Sequence, residues 1–115
     1  MTTQFMASDE RLANRIREQL TFFKETFTEK KMFGGICFLY EGKMTVGIAK
    51  NDLMARVKLE KMEENLAKDF VRSMDFTKKP MKEFIYVYSE GFETELALLQ
   101  WIELGLEHAK HKLIQ

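Results

Sequence analysis

The chain has 115 residues and a mass of 13.6 kDa, enough for one domain and too little for two. Apolar types make up 45% and charged types 31%. That balance excludes a disordered chain and lets a core form without a disulfide or metal staple. Eighteen Lys plus Arg offset eighteen Asp plus Glu, which argues against holding nucleic acid or an anionic membrane by bulk charge, a local patch excepted.

The single cysteine, Cys37, has no internal partner, so a reducing, cytoplasmic setting is expected. No apolar run approaches the ~20 residues of a membrane span, and the polar start from Met1 to Glu10 does not read as a signal peptide.

Residues 1–7 read as a loose tail. Ser8 is a fitting N-cap, with Asp9 and Glu10 placed for the positive end of a helix dipole. Leu12, Ile16, Leu20 and Phe23 then recur at helical steps. Lys31 to Phe33, Gly35 to Tyr40, Lys43 to Ala49 and Leu53 to Val57 read as four strands, with Glu41-Gly42 as a tight hairpin turn. Short turns between them imply an antiparallel meander.

A second helix is expected from Leu59 to Asp69, with Leu59, Met62, Leu66 and Phe70 along one edge. Met74 to Lys82, holding the only proline, reads as a loop or short edge strand. Phe84 to Tyr88 is the last strand. A final helix starts near Glu93, with Leu96, Leu99, Ile102, Leu106, Ala109 and Leu113 at helical spacing. The order α-β-β-β-β-α-β-α gives one α+β domain of two layers, with three helices and one mostly antiparallel sheet.

Few patterns carry chemistry. The glycines Gly34 and Gly35 lack a following Lys-Ser or Lys-Thr and precede a strand, so a bend where backbones pass closely fits better than a phosphate loop. His108 and His111, with Glu107 near, fall short of a zinc ligand set. They are expected, with Lys110 and Lys112, as cations at the negative end of the last helix. Cys37, between Ile36 and Phe38, reads as a buried structural thiol. No nucleophile elbow or dinucleotide fingerprint occurs. No catalytic, metal or cofactor residues are therefore assigned, and a non-enzymatic role is expected.

Lys78, Lys79 and Lys82 cluster about Pro80 beside Phe76 and Met81. They guard a sheet edge in one reading and contact phosphates or an acidic partner in another. Met54, Met74 and Met81 stand beside charged residues and would suit an adaptable contact surface if exposed.

Taken together, Lys31-Met32-Phe33-Gly34-Gly35-Ile36-Cys37-Phe38, Gly42-Lys43-Met44, Leu53-Met54-Ala55-Arg56-Val57, Met74-Asp75-Phe76-Thr77 and Pro80-Met81-Lys82 resemble the N-terminal domain family of TfoX (Sxy), the bacterial competence regulators. The resemblance runs from about Arg11 to Lys110 and continues through the helix around Trp101. It implies a secretion-chaperone-like layer of helices on one side of an antiparallel sheet. It also implies a role in assisting a cAMP-dependent transcription activator, and it supplies no catalytic residues. Full-length members add a helical C-terminal domain, so a chain ending at Gln115 is expected to be a stand-alone N-terminal domain.

The expected work is binding another protein, with the transcription machinery as candidate partner. A weak nucleic-acid-binding protein using the Lys78, Lys79, Lys82 loop with Lys30 and Lys31 is the second reading, and a small-molecule- or metal-binding enzyme the third. Strands Gly35 to Tyr40 and Phe84 to Tyr88 are apolar on both faces, and the last helix adds Leu98, Trp101 and Leu104 to its stripe. A homodimer through a sheet face or that helix is therefore expected.

Overall fold

A computed structural model describes residues 4–32, 34–76 and 79–114, apart from the side chains of 4–9, 74–76 and 79–81. The helix α1, Gln4–Leu20, precedes four strands, β1 (Phe27–Met32), β2 (Gly35–Tyr40), β3 (Lys43–Ala49) and β4 (Asp52–Arg56). A 3-10 turn at Leu59–Lys61 leads into the short helix α2, Met62–Leu66. Strands β5 (Val71–Phe76) and β6 (Lys79–Val87), a second 3-10 turn at Ser89–Phe92 and the helix α3, Glu95–Leu113, complete the chain. The six strands form one antiparallel sheet in the order β1-β2-β3-β4-β6-β5.

This is the α+β fold of the sequence reading in its order α-β-β-β-β-α-β-α, with the segment read as loop or short edge strand drawn out into β5 at the sheet edge and the start of β6. Several boundaries move, β4 by one residue to Asp52–Arg56 and the start of α3 to Glu95 among them, and three of the changes have a clear cause. Helix α1 starts at Gln4, inside the stretch read as a loose tail, because Gln4, Met6 and Ala7 are good helix formers and no Gly or Pro stops the helix before Ser8. Strand β1 begins at Phe27 rather than Lys31, since backbone pairing to β2 carries a sequence too polar to show alternation. The expected helix from Leu59 to Asp69 is only a 3-10 turn and a five-residue helix, with Leu59 and Leu66 exposed and Met62 and Phe70 packed on the core.

The helices lie on one face of the sheet. Phe38, Val46, Ile48, Leu53, Ile85 and Val87 meet Leu12, Ala13 and Ile16 of α1 and Leu98, Trp101 and Ile102 of α3. Each such large apolar side chain stabilises the fold by roughly 1.5–3 kcal/mol. Thr94 caps α3, its side chain accepting from the Ala97 N–H at 3.0 Å. The buried stripe of α3 runs through Leu98, Trp101, Ile102, Gly105, Leu106, His108 and Ala109. Leu96, at 65% exposure, falls outside it, so Leu98 and Trp101 are core rather than surplus surface. None of the helices among the described residues is long and apolar enough to cross a membrane.

One turn and one bulge set the register of β2 on β3. Glu41 and Gly42 both take positive φ, +49° and +82°, as a two-residue hairpin requires. Along β2 and β3 the pairing steps from Phe38↔Val46 to Leu39↔Met44, which leaves Thr45 as the extra residue. The Thr45 hydroxyl donates to the Phe38 carbonyl at 2.9 Å, and its own carbonyl faces α3 at Gly105. A Cβ on Gly105 would stand 2.3 Å from that carbonyl oxygen. Gly105→Ala therefore lowers stability by about 1–3 kcal/mol, as forced overpacking does. Gly42→Ala, with open space around it and only left-handed strain, costs about 1 kcal/mol. Urea unfolding of the two variants checks the order.

Candidate functional site

A groove of about 570 Å³ runs between α2 and α3. Phe70, Ala97, Trp101 and Leu104 give it an apolar floor, and Lys61, Glu64, Lys68, Glu103 and Glu107 stand around it. Its walls are tied locally. The buried Asn65 donates to the Lys61 carbonyl at 2.8 Å and accepts from the Lys68 ammonium at 3.0 Å. That ammonium sits 5.0 Å from the centre of the Trp101 ring, a cation–π contact. Lys61 bridges to Glu107 at 2.7 Å, which joins α2 to α3. The Trp101 indole N–H donates to the Gly91 carbonyl at 2.8 Å. Gly91 must be glycine, since a Cβ there would come within 2.5 Å of Val87 and Phe70 side-chain atoms.

A second polar cluster lies at the other end of α3. Glu83, held at φ +62° within β6, accepts from His108 Nε2 at 2.9 Å and pairs with Lys112 at 3.1 Å. Arg56 covers the cluster, its Nε donating to the Glu83 carbonyl at 2.8 Å while the guanidinium lies 4.7 Å from the Phe84 ring centre. His108 is buried, and its Nδ1 has no hydrogen-bond partner among the described residues. Burial first, then the charges of Arg56 and Lys112, hold its pKa below the usual histidine range despite the pull of Glu83. The neutral ring with hydrogen on Nε2 satisfies this geometry. The hydrogen bond from His108, reinforced by Lys112, in turn holds Glu83 below the usual carboxylate range against its own burial. His108 is thus not the helix-end cation that its position suggests; it turns inward to a strand residue far away in sequence.

The sequence profile of the TfoX N-terminal domain matches residues 6–109. With the antiparallel sheet and its one-sided helices, the match decides the family. The chain belongs to the TfoX N-terminal domain family. No curated protein matches the sequence.

In this TfoX N-terminal domain the residues singled out by sequence do not gather into one site. Phe76 and Lys79 pair in register at the end of the β5–β6 hairpin, and Lys82 is exposed further along β6. Lys78 lies outside the described residues, as do the side chains of Phe76, Lys79 and Met81. Gly34 has φ +74°, and a Cβ on Gly35 would stand 1.6 Å from the Ile48 carbonyl oxygen, so the glycine pair is a turn followed by a close backbone passage. Met54 is fully buried and offers no contact surface. The Met74 and Met81 side chains lie outside the described residues.

Cys37 is fully buried, and burial pushes its thiol up to about 11. Among the described residues no three His, Cys, Asp or Glu side chains come together as a metal site would need. Sequence reading missed the groove and the Glu83–His108 pair. The helical spacing of Trp101 and Leu104 was the available signal for the first. The second had none.

Two outcomes follow for this domain. His108 takes up protons less readily folded than unfolded, so its contribution to stability is complete above about pH 6.5. It is lost as pH falls through its lower folded pKa, because the unfolded chain then binds more protons. Glu83 adds a further loss below its ordinary range near pH 4.5, by the same linkage. Melting temperature therefore falls between pH 7 and 5 in the parent and falls less in His108→Leu, which circular dichroism at stepped pH measures. Cys37 reacts slowly with thiol reagents at neutral pH, and Cys37→Ala costs roughly 1 kcal/mol of stability.

Proposed function

We propose that this TfoX N-terminal domain is a non-enzymatic regulatory module that binds another protein, with transcription machinery as its partner. The α2–α3 groove is the observation that carries the reading. Its occupant is an amphipathic helix bearing Lys or Arg beside its apolar stripe. The floor from Ala97 to Leu104 accepts apolar side chains, and the groove spans about three helical turns of α3 from Ala97 to Glu107. At the rim, Glu107 is engaged by Lys61, and Lys68 by Asn65 and Trp101. Glu64 and Glu103, both exposed, form no ion pair with a described residue. The surplus charge at the rim is therefore negative and complements a basic helix.

Sedimentation of the purified domain with a purified cAMP-dependent transcription activator, and separately with RNA polymerase, tests this reading. A complex at micromolar concentration is expected with one of them. Gln100→Arg, an exposed rim substitution that the fold tolerates, weakens it at least tenfold, and Glu103→Lys does the same by charge. Complexes unaffected by both variants would remove the groove from the mechanism. Absence of any complex would remove the transcription partner.

A further inference from the structure

The face of the sheet turned away from the helices has its own chemistry. Register places Arg72, Tyr86, Met54, Gly47, Cys37 and Lys30 in one row across all six strands. Paired residues in an antiparallel sheet share a face, and these alternate with the residues packed under the helices. At strand spacings of about 4.8 Å the row measures about 24 Å. Its middle is already closed, with Cys37, Met54 and Phe84 buried and half-buried Met32, Leu39, Met44 and Tyr86 packed around them. None of the members of this cluster comes from a helix.

The two ends of the row are cationic. Arg72 is exposed, with its guanidinium 4.4 Å from the Tyr86 ring centre and 5.6 Å from that of Tyr88. Lys30, on the opposite edge strand, is exposed too. Neither forms an ion pair with a described residue. Arg56, engaged with Phe84, the Glu83 carbonyl and His108, belongs to the other cluster, and Asp52 of β4 lies near enough to Arg72 to feel its charge.

We propose that this open sheet face binds single-stranded nucleic acid, its phosphates held by Arg72 and Lys30 and its bases laid on the half-buried Tyr86, Met44 and Met32. Stacking platforms flanked by cations suit a flexible strand, whose bases can lie flat, better than a rigid duplex. A second copy of the chain fits poorly. A two-fold axis through the middle of the row would set Arg72 of one copy against Lys30 of the other, and the largest apolar side chains are already covered. This site is independent of the α2–α3 groove and goes beyond the protein-binding role. It is also separate from the lysines of the β5–β6 hairpin.

Fluorescence anisotropy of labelled 20-nucleotide oligo(dT) and oligo(U), titrated with the whole chain at about 50 mM salt, tests it. Binding is expected within about 100 µM, weakening with a log–log salt slope of about −1.4, since each of two single-strand phosphate contacts contributes roughly −0.7. Arg72→Ala and Lys30→Ala each reduce the slope by about 0.7. Both residues are exposed, so the variants fold as the parent does. Tyr86→Leu weakens binding about tenfold with the slope unchanged.

No rise in anisotropy with either oligonucleotide overturns the proposal, as does equal affinity for a duplex of the same length. A loss confined to the triple variant Lys78→Ala, Lys79→Ala, Lys82→Ala would move binding to the hairpin and overturn it. So would a dimer in sedimentation that Met44→Lys dissolves, which would give the face to a second copy.

Discussion

The seat of α3 on the bulge in β3 is the constraint from which the rest of the architecture follows. Gly105 lets the helix backbone come down onto the Thr45 carbonyl, a position that any Cβ would block. At the same bulge the Thr45 hydroxyl donates to the Phe38 carbonyl, which satisfies that buried side chain. Once this point is fixed, the two halves of α3 are aimed. Its first half brings Trp101 to Gly91 and builds one wall of the groove. Its second half carries His108 and Lys112 to Glu83. Rotating the helix by one residue would withdraw both sets at once.

Charge pairs lock the helix layer from outside. Arg15 donates to both the Glu95 carboxylate and the Phe92 carbonyl, which pins α1 to the entry of α3. Arg17 forks onto Glu29 and also reaches Asn14, tying α1 to the edge strand β1. Lys110 pairs with Glu25 on the connection between them. Exposed pairs of this kind contribute about 0–1 kcal/mol each, so their effect lies more in fixing orientation than in stability. They also explain a chain of zero net charge that still presents local charge. Many cations are spent in such pairs, whereas Arg72 and Lys30 form no ion pair with a described residue.

A residue's role is legible in the sequence where its environment is local. The hairpin from Gly35 to Ala49 was legible because alternation and the Glu41-Gly42 turn both lie within fifteen or so residues. The family was legible too, from motifs spread along the same strands. Strand β1 was cut short because Thr28, Glu29 and Lys30 face water and owe their conformation to β2 alone. The stripe of α3 was misplaced by one flank, since Leu96 and Leu98 look alike in sequence and only Thr94 and Gly105 decide which is buried. His108 was misread for a related reason. Position on a helix suggested a dipole partner, whereas its surroundings are supplied by β4 and β6.

Both faces of the domain are shaped by a burial problem with one sheet and too few helices. Three helices can cover one side only, so the opposite side must protect its apolar side chains by itself. It does so with long, pliant residues: Met32, Met44 and Leu39 fold over Cys37 and Met54, and Arg56 lies on Phe84. This solution leaves flat aromatic and thioether surface between two cationic edges. The helix layer meets the complementary difficulty, because α2 is too short to cover α3 along its length, and a groove remains where a fuller helix would have packed. The two surfaces lie on opposite sides of the sheet and share no side chain. A ligand on one therefore does not obstruct the other, and any coupling between them has to pass through the sheet, whose strands β2, β3, β4 and β6 contribute to both clusters.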